Sequence, residues 1–438
     1  MAALLVAALM ATAAAAEEKY EERFHRTVPY SGGTVAIDHR FGGVNIRTGS
    51  RSEVDVKATI RSSDAAWAKQ IRIEAESGRG GVRIRTVYPT RARSRDGDFS
   101  YSVDFQITVP ASAPLRVSNR FGSVQAAGIA SGSEIVNGHG SIQLSDTRGE
   151  QKVENSFGSI TLRNINGNAV VRNSNGSIRA DTISGTADVS NRFGSITVTK
   201  TNGRTIVQNT NGSVAVSEVT GPLTVANGFG SVSVSNVSGP VEVRNKNGSV
   251  QVERVGRDLA VTNAFGSISV ARVEGNLQVS GTNSRIEARA VRGSADVTTS
   301  FGTVDLRDVS GAAQVTNANG SVKLSEIGGN TLVKTTFGSV VLRDVKGAVD
   351  VQNQNGAITL AGAPACKPIS LRTSFSSIKI DLPPGASYAV NARTTFGRIQ
   401  TRLPITTRTL TDEAVTGTIG SGICRLDLTN NNGTITIE

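Results

Sequence analysis

Along most of this chain apolar residues come in pairs two apart, and the whole arrangement returns every 18 residues. In the stretch starting at Phe157, Ile160 and Leu162 form one pair, Ile165 stands alone, and Ala169 and Val171 form a second pair. From Asn175 the layout repeats as Ile178, Ala180, Ile183, Ala187 and Val189. A period of two is that of a short strand burying one face. Short strands returning at a fixed short interval predict a stacked solenoid, each coil resting on its neighbours.

Each coil is numbered here from its first residue. Glycine fills position 2 in nearly every coil, Ser284 being an exception, and a second glycine usually fills position 11, as at Gly167, Gly185, Gly221 and Gly239. Position 1 alternates. Phenylalanine holds it at Phe121, Phe157, Phe193, Phe229, Phe265, Phe301 and Phe337, 36 residues apart. Asparagine holds it between them at Asn175, Asn211, Asn247 and Asn319, with looser copies at His139, Asn283 and Asn355. Asparagine also recurs at position 17, including Asn155, Asn173, Asn191 and Asn209. Equivalent residues stack in such a fold, so these are expected to form a side-chain amide ladder. The glycines are expected at corners that need positive φ or close approach.

The predicted fold is all-β: a parallel β-helix of 18-residue coils, right-handed by the crossover rule. The regular array is expected over residues 116–363. Residues 17–115 read as an N-terminal β-rich cap, with a short helix over Ser62–Lys69 started by Ser62, Ser63 or Asp64. Strands follow at Ile71–Ala75, Val82–Val87 and Phe99–Val109, and their alternation suggests antiparallel pairing. Residues 364–438 read as irregular last coils and a C-terminal cap, with Phe375 and Phe396 continuing the signature at longer spacing.

Residues 1–16 form an Ala-rich apolar run before Glu17, Glu18 and Lys19, as in a cleaved signal peptide. Nothing after them approaches a membrane-spanning length. The expectation is therefore an exported protein: periplasmic, on the outer surface or secreted. Cys366 and Cys424 both lie outside the regular array. They suit either a disulfide or two buried thiols. The net charge of +11 favours anionic partners such as acidic glycans or other envelope components. The densest basic cluster is Arg91, Arg93 and Arg95; no specific nucleic-acid motif accompanies it.

An apolar leader, a β-rich region ending near Ile107-Thr-Val-Pro110, and repeated Asn-Gly-Ser-Ile/Val coils together resemble the bacterial putative-adhesin family. That resemblance covers nearly all of the mature chain. It implies an exported β-helix domain of unknown biochemical role. A more distant similarity is to the polymer-forming bactofilins, which usually lack both a signal peptide and a large folded N-terminal region.

Three columns could carry chemistry. The phenylalanines are expected to pack at the core or corner, since an exposed line of them invites aggregation. Adhesion would then fall to basic outer positions such as Arg172, Arg244 and Lys246. Asp308, Glu326 and Asp344 share position 8 of consecutive coils, beside Arg307 and Arg343, and are candidates for a cation or for acid chemistry on a polysaccharide. Among His25, His39 and His139 no nucleophilic triad is apparent, and no metal or cofactor motif appears. The reading is a non-enzymatic, cofactor-free, adhesin-like scaffold. The alternatives are a polysaccharide-active lyase or hydrolase using the acidic column, and a self-associating rod.

Overall fold

The computed structural model describes residues 20–89 and 100–438. The expected signal peptide and Arg91, Arg93 and Arg95 lie outside them. The chain is an all-β parallel solenoid of about 15 turns with almost no helix. It divides into two compact units, residues 1–143 and 144–438.

In the second unit each coil contributes two strands to two long parallel sheets. Ile160–Asn166 pairs with Ile178–Ile183 in one sheet, and Ala169–Asn175 pairs with Ala187–Phe193 in the other. The register advances by one coil at every step: Ile160 faces Ile178, and Val171 faces Val189. The five apolar positions form the core. Ile160, Leu162, Ile165, Ala169 and Val171 are each no more than 1% exposed. Burying such columns against identical neighbours supplies the apolar contribution that no single coil could provide alone.

Position 7 is exposed at Arg163, Arg307 and Arg343 and half-buried in most other coils, position 8 is exposed in nearly all, yet position 9 is buried, which strict alternation forbids. The cause is a left-handed residue at position 8 in twelve consecutive coils, from Asp146 (φ 56°) to Asp344 (φ 54°). It bends the strand and returns the next side chain to the core. None of the twelve is glycine. The glycine columns do different work. At position 2, Gly212 has φ +131°, and a Cβ there would sit 2.2 Å from the Gly194 carbonyl oxygen. At position 11, Gly203 has no positive φ, and its constraint is stacking alone: a Cβ would lie 2.5 Å from the Gly185 oxygen. From Gly185 to Gly347 the position-11 glycines likewise lack a positive φ, whereas Gly149 keeps one at φ 79°.

The C-terminal end is interleaved. Ile369–Phe375 pairs not with the next strand of that sheet in sequence, Tyr388–Phe396, but with Cys424–Asn432. Tyr388–Phe396 lies on the far side of Cys424–Asn432. The other sheet repeats the order, with Ile435–Ile437 between Ile378–Ile380 and Ile399–Thr401. An antiparallel pair, Thr406–Leu410 with Ala414–Ile419, flanks Tyr388–Phe396. Cys366 and Cys424 are disulfide-bonded, with Cα atoms 5.3 Å apart, which ties the interleaved strand to the coil before it.

In the first unit coil stacking begins before the regular repeat. Thr34–Asp38 pairs in parallel with Gly81–Val87 and with Leu115–Phe121, and Val44–Gly49 does so with Tyr101–Pro110 and Val124–Ala127. Antiparallel pairing occurs as well: Glu53–Ser62 joins Tyr20–Pro29 and Tyr101–Pro110, and Arg72–Gly78 joins Gly81–Val87. The region is therefore mixed rather than simply antiparallel. The helix is a single turn, Ala65–Ala68, whose N-cap Asp64 accepts a hydrogen bond from the Trp67 amide.

Candidate functional site: an outward column of phenylalanine and asparagine

Position 1 ends the second strand of each coil, just before the positive-φ glycine. Its backbone stays in the ladder: the Gly176 amide donates to the Phe193 carbonyl, and the Gly194 amide to that of Asn211. Its side chain swings out over the corner. Phe193 is 47% exposed and Phe229 54%, with Phe157, Phe265, Phe301 and Phe337 near the same value. The expectation of a packed column is overturned for these six. Phe375 and Phe396 extend it, at 57% and 71%.

The alternation holds through the interleaved end. Phe337 bridges to Asn355 and Asn355 to Phe375. Phe375 then faces Asn432, which faces Phe396 on its other side. In sequence Phe375 is followed by another phenylalanine coil. In space an asparagine from the last strand stands between the two. No two phenylalanines are neighbours from Phe157 to Phe396, so ring follows ring at about 9.6 Å, twice the strand spacing.

Position 3 places a hydroxyl beside this column in most coils, as at Ser177, Ser195, Ser213 and Ser231, and the Ser231 hydroxyl donates to that of Ser213 at 3.2 Å. Positions 18 to 3, from Phe157 to Phe396, hold no carboxylate, and their cations are Arg192, Lys246, Arg285 and Arg398. The corner is a strip of aromatic rings, amides and hydroxyls in a chain that is 19% charged.

The position-17 asparagines secure the strip from within. Asn209 is 6% exposed, and its amide nitrogen donates to the carbonyls of Gly194 at 3.1 Å and Gly212 at 3.0 Å. Asn173 does the same for Gly158 and Gly176, and Asn191 donates to Gly176 at 2.9 Å. The expected amide-to-amide bonding runs from Asn227 to Asn245 and from Asn245 to Asn263, and these amides serve corner carbonyls as well. Elsewhere the amides serve corner carbonyls, which would otherwise be buried without a donor.

Asp308, Glu326 and Asp344 hold equivalent places in three consecutive coils, as expected. All three are exposed left-handed corner residues. Arg307 turns away from them into a two-pronged pair with Asp305 at 2.8 and 3.0 Å, and this holds the Asp305 carboxyl below its ordinary range. No carboxylate, histidine or cysteine cluster that could hold a metal occurs among the described residues. Arg172 is committed to Asp188 at 2.6 and 2.9 Å, and Arg244 to Glu242. Lys246 is exposed and lies on the strip itself.

A groove of about 1070 Å³ runs along the start of the second-strand sheet, past Asp258, Asn276, Gln278, Asp296 and Asn330. Its position-12 groups serve the framework: Asp258 accepts from the Asn276 amide, Asn276 from Ser294, and Asn330 from Ala348. Such side chains cap corner amides coil by coil, a role hidden in the sequence by their varied identity.

In the first unit Phe121 is half-buried, as the packed reading expected. Its ring stacks on Phe41 at 5.3 Å and on His139 at 4.7 Å. Tyr88 and Tyr101 meet Phe41 edge-on at 5.3 and 4.9 Å. Burial pushes the Tyr88 hydroxyl well above its ordinary value.

Residues 229–438 match the family described as Toastrack DUF4097, which supports the adhesin-like resemblance and a biochemical role still unknown. The match begins at Phe229, so the earlier coils lie outside it. A crystal structure of a putative cell adhesion protein from Clostridium sporogenes ATCC 15579 is 7% identical, covering 95% of this chain and 99% of that one, with a TM-score of 0.17. No curated protein matches the chain.

Proposed function

We propose that this chain, Toastrack-like over residues 229–438, is a non-enzymatic, exported, adhesin-like scaffold that binds envelope or extracellular material along one coil corner. The observation that carries the reading is the outward column from Phe157 to Phe396. Half-exposed phenylalanines in line cost solubility and add little to the core, so their persistence calls for a partner. The in-register ladders hold the rings at fixed intervals, and little ordering entropy remains to be lost on binding. No helix among the described residues is long and apolar enough to cross a membrane. The acidic column gives no support to an enzyme, because its carboxylates are exposed turn residues and Arg307 is engaged elsewhere.

The test is sedimentation of the purified full chain with isolated bacterial envelopes. Wild type should co-sediment, and Phe229→Ala with Phe265→Ala should weaken this, while Asp308→Asn with Asp344→Asn should not. Envelope binding that ignores the phenylalanines, or turnover of an acidic glycan lost in the aspartate variant, would overturn the proposal.

A further inference from the structure

Resting on that reading, we infer that the strip from Phe157 to Phe396 is a binding track for a linear, uncharged polysaccharide lying along the solenoid axis. Three features specify the ligand.

The first is chemical. A sugar ring offers one face of C–H groups and a rim of hydroxyls. The strip offers half-exposed aromatic rings at Phe193, Phe229 and Phe265. Beside them stand amides at Asn211 and Asn247 and hydroxyls at Ser195, Ser213 and Ser231, each able both to donate and to accept. Aromatic platforms with neighbouring two-way hydrogen-bonding groups suit a surface that is apolar on one side and hydroxylated at its edge.

The second is metric. The rings recur about every 9.6 Å. That is close to the length of an extended β-linked disaccharide, so every second sugar of such a chain would meet a phenylalanine, and the sugar between them an asparagine. The interleaved C-terminus preserves this spacing where the sequence alone would break it. Asn432 stands between Phe375 and Phe396, although it comes from a strand further along the chain. Simple duplication of a 36-residue unit explains the regular array but not this junction. The spatial order of rings and amides is kept by rearranging the chain.

The third is electrostatic. A polyanion would need a cation at each of its repeats. The cations here are Arg192, Lys246, Arg285 and Arg398, at irregular intervals, and the arginines at Arg172 and Arg244 are paired with acids. This replaces the anionic partner expected from net charge with a neutral one.

The experiment uses the full chain with microcrystalline cellulose, chitin and insoluble mannan as neutral probes, and polygalacturonate gel as the charged one. At least one neutral probe should retain the protein, and added salt should not release it. Phe229→Ala with Phe265→Ala should weaken retention about tenfold, with an unchanged denaturant midpoint showing that the coils remain folded. Phe229→Tyr with Phe265→Tyr should restore it, because the ring face is kept. Salt-sensitive retention on polygalacturonate alone overturns the inference. So does a phenylalanine-dependent dimer in sedimentation velocity, which would make a second copy the occupant. Phenylalanine-dependent envelope binding without retention on any neutral probe defeats the polysaccharide while leaving the scaffold reading intact; loss of both defeats both.

Discussion

Phe375 lies in register beside Asn432, a residue of the last long strand, rather than beside Phe396, the next phenylalanine in the chain. The C-terminal strands therefore form an inner coil, and the end of the solenoid is assembled from segments that do not follow one another. Such an arrangement makes the end depend on long-range closure.

The disulfide supplies part of that closure. Cys366 and Cys424 are 58 residues apart in sequence. Their link restricts the unfolded chain by an amount worth about 4 kcal/mol for a loop of that order. Cys366→Ser with Cys424→Ser should lower the stability of the C-terminal coils by about that much, and reductant should do the same to wild type. Hydrogen exchange across residues 369–437 reads the loss. Unchanged protection there would show that the bond holds nothing together.

The two kinds of asparagine should behave differently. Asn209 donates to two corner carbonyls and is buried, so Asn209→Ala should cost about 1–3 kcal/mol through the acceptors left bare. Asn211 sits on the outward column, and Asn211→Ala should stay within about ±0.5 kcal/mol. Phe229→Ala, at 54% exposure, belongs with Asn211. Matched urea melts decide it, and equal midpoints for Asn209→Ala and Asn211→Ala would contradict the division of labour.

Much of this was legible in the sequence. Ile160, Leu162, Ile165, Ala169 and Val171 declare the core because stacking makes every coil repeat the same inward positions. The direction of Phe193 was not legible. It stands two residues after the buried Asn191, so a period of two assigns both to one face. The chain, however, leaves the strand at Gly194, where φ is +122°, and the residue before that turn is released outward. The bend at position 8 was hidden for another reason: Asp, Asn, Thr, Lys, Glu, Arg and Ala all occupy it, so no residue type marks it. The interleaved Asn432 depends on strand order, which local pattern does not encode.

That hidden bend gives a prediction of the opposite sign. Thr182 is β-branched and held at φ 60°, a region it occupies at a cost of about 1–2 kcal/mol. Asparagine tolerates this region better, and Asn164 already occupies it one coil earlier at φ 54°. Thr182→Asn should raise stability by up to about 1 kcal/mol. A rise in the thermal midpoint checks it, and a fall would mean that Thr182 is held by something other than its backbone.

The first unit should weaken in mild acid because of one side chain. His39 is 3% exposed, edge-on to Phe105 at 4.8 Å, with Nδ1 3.0 Å from the Thr86 hydroxyl. Burial lowers its pKa from 6.5 to about 4. Between those values the unfolded chain binds a proton that the folded chain refuses, so unfolding takes up protons and stability falls as pH falls. The contribution is fully present above pH 6.5 and is lost progressively down to about pH 4, amounting to roughly 3 kcal/mol. Asp55, whose carboxyl lies below its ordinary 3.8, acts only at lower pH and does not blur this window. Trp67, the chain's single tryptophan, lies in the same unit and reports its unfolding by fluorescence. Urea melts followed at Trp67 should lose stability between pH 7 and pH 4.5 in wild type, and His39→Gln should flatten that slope whatever its effect at pH 7. An equal slope in the variant would assign the acid sensitivity to other groups.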